Sequence, residues 1–123
     1  MEYFLDMDKS FSLLENAKYV LIPVPYDGTS TYVKGADQGP QAIIDASDSI
    51  ELYDIELDAE AYLEGIYTDV LVRQNKTPEE MAQAVFERVR HFVKSNKIVG
   101  VLGGEHSVSI GSIQAMKAQF SNL

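Results

Sequence analysis

The stretch Ile98–Gly111, Ile-Val-Gly-Val-Leu-Gly-Gly-Glu-His-Ser-Val-Ser-Ile-Gly, decides the fold class. Its first residues, 98–102, form a short apolar and mainly β-branched run, which predicts a buried parallel strand. Two glycines end the run and place His106 just past the carboxyl end of the strand, where open α/β sheets bind their ligands. A helix is predicted to follow over about residues 107–118. Its buried side is expected to consist of Val108, Ile110, Ile113 and Met116.

A first strand and a long loop precede this region. Residues 19–22 are apolar and predict a strand that ends at Pro23-Val24-Pro25, because proline cannot continue a central ladder. Residues 26–39 then form a loop that is rich in glycine and turn-forming residues. If both strands are parallel, this loop leaves the same edge of the sheet as His106. Pro40 fits the first turn of a short helix that follows the loop.

The clearest helix prediction covers residues 78–95. Thr77 suits the N-cap position, and Glu80 lies at the spacing of a capping box. Apolar residues repeat at helical spacing and predict one buried stripe, made of Met81, Val85, Val89, Phe92 and Val93. The alternation of strands and helices predicts an α/β fold, with a parallel sheet and helices packed on its faces.

Two further segments are predicted to be extended. Glu51–Leu57 alternates polar and apolar residues with period two, which is typical of a half-buried or edge strand. Gly65–Thr68 is predicted to be a brief extended piece. No linker or internal repeat interrupts the sequence, so residues 1–123 are interpreted as one unit.

Composition excludes several classes of protein and site. The chain has 123 residues and a net charge of −9, which opposes binding to the phosphate backbone of nucleic acids. It contains no cysteine, so disulfides and thiolate metal sites are excluded and a reducing, cytoplasmic compartment is expected. The acidic first residues do not form a secretory signal, and no apolar run reaches the roughly 18 residues of a membrane span.

Three side chains near the predicted sheet edge are candidates for a site. His106 can bind a metal ion through a neutral imidazole, or it can cap the following helix or hydrogen-bond a loop. Glu105 can be a carboxylate ligand or general base, or it can be satisfied by the local loop or a neighbouring helix. Asp27 can bind a substrate cation, or it can form the turn that its Asp-Gly sequence favours. The residues alone leave these alternatives open.

Three segments together carry a family resemblance. Leu102–Ser107 contains the pattern Gly-Gly-(Asp/Glu)-His-Ser, which is a motif of the ureohydrolases, the arginase and agmatinase family. Pro23–Ser30 and then Gly39–Ile43 resemble the amino-terminal strand and loop of that family. Glu51–Leu57, followed by Gly65-Ile66, is similar to the agmatinase branch. The segments occur in the family's order, and the resemblance extends over essentially the whole chain.

The resemblance implies a three-layer α/β/α sandwich and two manganese ions, which activate water for attack on a guanidinium carbon with release of urea. In this family His106 would be the first metal ligand, and Asp27 would bind substrate at the mouth of the site. The agmatinase branch implies agmatine, a small cationic guanidino substrate, with putrescine and urea as products. No catalytic residue is assigned within the chain. The family commonly forms trimers or hexamers, so a homo-oligomer is expected.

The other metal ligands of the family lie in Asp-Ala-His-x-Asp and Asp-x-Asp motifs, and neither motif follows His106 in this sequence. Residues 1–123 are therefore expected to be the amino-terminal part of a single ureohydrolase domain and to be inactive alone. Two alternatives remain. One is a truncated, non-catalytic chain, and the other is a sister enzyme that acts on arginine, formiminoglutamate or guanidinobutyrate.

Overall fold

A sheet of three parallel strands lies at the centre of the computed structural model, which describes residues 3–73 and 76–122. The strands are β1 (Tyr19–Val24), β2 (Ile66–Thr68) and β3 (Ile98–Gly103), and β1 lies between the other two. Both pairs are parallel, so β1 and β3 end at the same edge of the sheet. The predicted parallel sheet is confirmed, and the brief extended piece after Gly65 is β2.

Helices cover both faces of the sheet. The α-helices of the described residues are α1 (Gly39–Ala46), α2 (Pro78–Lys94) and α3 (Ser109–Gln119). Short 3-10 helices cover Lys9–Ser12, Ala36–Gln38, Ser47–Ser49, Ala61–Glu64 and His106–Val108. None of the helices in residues 3–73 and 76–122 has the length and apolar character needed to cross a membrane.

The alternation of side chains along β1 separates the two helical layers, because successive residues of a strand point to opposite faces. Val20, Ile22 and Val24 are inaccessible to solvent and belong to the main core, together with the buried stripe of α2. Pro23 points to the other face, where it lines a cavity together with Ile44 of α1. The helices α2 and α3 pack against each other on the first face. The predicted three-layer α/β/α architecture is confirmed.

The predicted start and buried stripe of α2 are confirmed. The Thr77 hydroxyl accepts a hydrogen bond from the Glu80 amide at 3.1 Å, which satisfies one of the free amides of the first turn. The five apolar side chains of the stripe are all buried: Met81, Val85, Val89, Phe92 and Val93.

The strand β1 ends at Val24, within the predicted segment 23–25, but it continues through Pro23, so the expectation that this proline cannot continue a central ladder is wrong. The Pro23 carbonyl accepts a hydrogen bond from the Val72 amide at 2.9 Å, on the side of β1 that faces β2. The ladder with β2 has already ended there, at the pairing of Leu21 with Thr68. The N and C=O groups of a strand residue point to the same side, so the missing N–H of Pro23 removes no ladder bond.

Residues 51–57 do not form the predicted strand. Asp54 and Ala59 make an isolated antiparallel bridge that closes a turn. The Asp54 carboxylate accepts hydrogen bonds from two amides inside this turn, at 2.9 and 3.0 Å. The Asp54 side chain thus accepts hydrogen bonds from backbone amides that a neighbouring strand would have paired with in the predicted sheet. The apolar side chains of the turn, Ile55 and Leu57, are left exposed to solvent.

The strand β3 is less buried than predicted. Its first residue is exposed and the others are half-buried. The cause is its position, since β3 is an edge strand of the sheet within the described residues and has a neighbour only on the β1 side. The short apolar run correctly indicated a strand, but it could not show how many neighbours the strand has.

The helix predicted after His106 is confirmed, but α3 begins at Ser109, after a 3-10 turn. Of its predicted buried side, Val108 is buried and Met116 packs partly against the core.

For two other residues of α3, the prediction that they are buried is wrong. Ile110 and Ile113 are exposed, whereas Gly111 and Ala115 are buried. A Cβ atom on Gly111 would lie only 2.2 Å from the carbonyl oxygen of Ala82 in α2. Because α2 and α3 approach so closely, only small residues fit on the side of α3 that faces α2. Ile110 and Ile113 therefore lie on its other sides.

Candidate functional site

The carboxyl ends of β1 and β3 lie side by side, with Val24 paired to Gly103. The chain leads from β1 to α1 on one face of the sheet, and from β3 to α3 on the other. Neighbouring strands with diverging connections leave a crevice at the sheet edge, where open α/β sheets bind ligands. The loop 26–39 and His106 both follow these strand ends, so the prediction that they share one sheet edge is confirmed.

Asp27 holds the loop 26–39 together from within. Its carboxylate is 8% exposed and accepts hydrogen bonds from the Ser30 hydroxyl and from the Gly35 amide, the latter at 2.6 Å. The Lys34 ammonium lies 3.7 Å from the same carboxylate. The hydroxyl, the amide and the ammonium charge keep the pKa of Asp27 below its ordinary value of 3.8. This geometry matches the turn-forming alternative, and substrate binding by Asp27 stays a prediction.

Glu105 connects the end of β3 to the same loop. Its Oε2 atom accepts a hydrogen bond from the Thr29 amide at 3.0 Å, and its Oε1 atom accepts from the hydroxyls of Thr29 and Ser107. Burial alone would raise the pKa of Glu105, but the hydroxyl bonds and the amides of Thr29 and Ser30 outweigh it, so that this pKa is lowered. Glu105 is thus satisfied by hydrogen bonds, partly from Ser107 in its own turn and partly from Thr29 on the distant loop 26–39.

The two glycines before Glu105 make room for the protein's own chain. A Cβ atom on Gly104 would lie 2.3 Å from the Tyr26 carbonyl oxygen and 2.8 Å from the Ala36 carbonyl oxygen. A Cβ atom on Gly103 would lie 2.3 Å from the side chain of Val108. The strand end, the loop and the turn before α3 therefore meet without space for side chains at these positions.

His106 lies at this junction with an exposed side chain, in the 3-10 turn before α3. Its carbonyl accepts a hydrogen bond from the Ser109 hydroxyl at 2.8 Å. No hydrogen bond engages its imidazole within the described residues. Its main chain thus takes part in the turn, while its side chain stays exposed at the sheet edge.

His106 can supply one ligand of a metal site, and the described residues do not supply the others. Residues 3–73 and 76–122 contain no group of three or more His, Cys, Asp or Glu side chains that could hold a metal ion. Manganese prefers several carboxylate or other oxygen ligands, which one imidazole cannot replace. The nearby carboxylates of Asp27 and Glu105 are already occupied by hydroxyl and amide donors.

A comparison with family models matches residues 17–123 to the arginase family. The chain belongs to the arginase family. Its relatives include the N(1)-aminopropylagmatine ureohydrolase of Synechocystis, which is 38% identical over 108 residues; the match covers 83% of this chain and 35% of the relative.

Solved structures agree with this membership. The agmatine ureohydrolase of Thermoplasma volcanium is 30% identical with a TM-score of 0.77, and the match covers 82% of this chain and 34% of that one. A Trypanosoma cruzi formiminoglutamase solved with Mn²⁺ has a TM-score of 0.78 at 24% identity, covering 88% and 38% of the two chains, and it supports the arginase fold. The chain spans about a third of the length of the relatives that it matches.

The contact of Glu105 with Thr29 is not predicted from the sequence. Thr29 lies in a segment with turn chemistry, and 76 positions separate it from Glu105. The available signal is the predicted parallel sheet, which brings the residues that follow its strands to one edge. A hydroxyl residue after one strand and a carboxylate after another are therefore candidates for a contact, but the sequence does not show that the two strands are neighbours.

Proposed function

We propose that residues 1–123 are the amino-terminal part of a metal-dependent ureohydrolase, in which His106 supplies one metal ligand. The observation that carries this proposal is the position of His106, which is exposed just past the carboxyl end of β3, at the sheet edge where β1 also ends. This is where ligands bind in open α/β sheets. Membership of the arginase family supports the proposal independently.

The proposed cofactor is a pair of manganese ions. When bound, such a pair lowers the pKa of water and orients it toward an electrophilic carbon. This chain contributes the exposed imidazole of His106, which lies in the turn before α3. The preceding residue, Glu105, is hydrogen-bonded to the loop 26–39. The remaining ligands are proposed to come from residues outside this chain. Assembly into a homo-oligomer and a cytoplasmic location belong to the same proposal.

The proposed substrate is a small linear guanidino compound with a positive charge. A net charge of −9 favours the approach of cations. Agmatine is the first candidate, and the solved relative from Thermoplasma volcanium is an agmatine ureohydrolase. The 38% identity to an N(1)-aminopropylagmatine ureohydrolase makes aminopropylagmatine the second candidate. Asp27 remains the proposed substrate-binding residue, at the mouth of the site.

Urea release by the full-length protein tests this proposal. The manganese-loaded protein should release urea from agmatine or from aminopropylagmatine, and should do so much more slowly from arginine and guanidinobutyrate. The ratio of kcat/KM for agmatine to kcat/KM for aminopropylagmatine decides between these two candidate substrates. Failure to release urea from any of the four compounds, with manganese bound, would overturn the proposed activity.

A further inference from the structure

We propose that Glu105 is a positioning residue, which holds the loop 26–39 in a fixed place beside His106 through its contact with Thr29. The consequence for catalysis rests on the proposed function, whereas the contact and its effect on the loop do not. Glu105 is not assigned a metal or a substrate, because its oxygens already accept hydrogen bonds from Thr29 and Ser107.

The loop needs such an anchor because its tip has no support from the core. Tyr32 is 97% exposed and Val33 is 65% exposed. The bonds that the Asp27 carboxylate accepts come from Ser30, Gly35 and Ala36, which belong to the loop itself. These bonds therefore fix the shape of the loop, but they do not connect it to β3.

Glu105 supplies a side-chain connection between the outer part of the loop and the end of β3, beyond the backbone packing of Tyr26 and Ala36 on Gly104. Its two oxygens receive both the amide and the hydroxyl of Thr29, so the contact restrains the direction of the loop as well as its distance. The Ser107 hydroxyl holds the same carboxylate from the following turn. One peptide bond joins Glu105 to His106, so the loop is tied directly to the residue proposed to bind the metal.

The expected effect on the reaction is one of geometry. A loop that borders a site contributes to the rate by holding substrate close to the reacting groups, and displacements of about 1 Å can lower the rate by about a hundredfold. Removal of the Thr29 contact should therefore lower kcat/KM through the position of the loop.

Hydrogen exchange of the full-length protein tests the contact without any assay of activity. Glu105→Gln and Thr29→Val should each raise the exchange rate of amides in the loop 26–39 by about tenfold, with α2 unchanged. Glu87→Gln is the matched control, since it removes the same charge from an exposed residue of α2 that accepts a bond from Gln83. Loop exchange equal to wild type in both variants would overturn the proposal.

A double-mutant cycle on urea release tests the positioning role. Both substitutions weaken the same contact, because Thr29→Val removes the hydroxyl donor and Glu105→Gln replaces one acceptor oxygen with an NH2 group. Each should therefore lower kcat/KM, by up to about tenfold, and the double variant should lose little more than Glu105→Gln alone. If Thr29→Val costs as much kcat/KM in the Glu105→Gln background as in the wild-type background, the two residues act independently, and that result would overturn the role. If the wild-type protein releases no urea, the proposed function fails while the exchange measurement still decides the present inference.

Discussion

Asp69 and Arg88 form a two-bonded ion pair that ties the end of β2 to the middle of α2. Each carboxylate oxygen of Asp69 accepts one hydrogen bond from the guanidinium. The Asp69 side chain is inaccessible to solvent, and the guanidinium carbon of Arg88 lies 4.9 Å from the centre of the Phe92 ring. The pair therefore fixes the exit of β2 against the helix that leads to β3 and His106.

Loss of this pair should destabilise the fold strongly. Arg88→Ala should lower the free energy of unfolding by about 3 kcal/mol, because it leaves a buried carboxylate without its partner. Arg90→Ala, on the exposed side of the same helix, should cost less than about 1 kcal/mol. Replacement of both members of the pair, by Asp69→Leu with Arg88→Met, should recover much of the loss. Denaturant unfolding measures all of these values, and equal costs for the two arginines would contradict the account.

Gly104 should tolerate no side chain, because the atoms that a Cβ would meet belong to the backbone. Gly104→Ala should lower the free energy of unfolding by about 2 kcal/mol or more, since the carbonyls of Tyr26 and Ala36 cannot move without displacing the loop. Gly100→Ala is the matched control in β3. Its Cβ would meet the flexible end of Leu21 at 3.0 Å, so a cost below about 1 kcal/mol is expected. A smaller loss at Gly104 than at Gly100 would refute the close approach.

Asp27 should make the stability of its loop depend on pH in acid. Its pKa is lower in the folded protein than the ordinary 3.8, so its stabilising effect is complete above that value and is lost as pH falls through the folded pKa. Asp27→Asn should therefore be less stable than wild type at neutral pH, and the difference should shrink below about pH 4. Asp37→Asn, an exposed residue of the same loop, is the control. A difference that stays constant down to pH 2 would exclude this role.

The 123-residue chain alone should neither bind manganese tightly nor release urea. It supplies His106 as one ligand, and its described residues hold no group of three metal-binding side chains. Equilibrium dialysis with Mn²⁺ and a urea assay with agmatine check this. Turnover by the isolated chain would show that the site is complete within these residues.

The position of His106 at the end of a strand could be predicted from the sequence, because the residues that indicate it are adjacent in the chain. The apolar run of β3, the glycines after it and His106 lie within 98–106, and they required no knowledge of distant contacts. The same holds for α2, whose cap and stripe follow from helical spacing.

The errors arose where a long-range or side-chain contact decided the outcome. Asp54 formed bonds inside its own turn, which an alternating pattern does not show. Gly111 let α3 approach α2 closely and changed which face of the helix is buried. The contact of Glu105 with Thr29 depends on two strands being neighbours, which the spacing along one chain does not encode.

His106→Ala in the full-length protein tests the central claim most directly, with His91→Ala as its control, since His91 is the other histidine of this chain and lies exposed on α2. Manganese binding and urea release should both fall by at least about a hundredfold in His106→Ala, with thermal unfolding of the metal-free protein unchanged. The His91→Ala variant should match wild type in all three measurements. Wild-type manganese affinity and urea release in His106→Ala would contradict the assignment of this imidazole as a metal ligand.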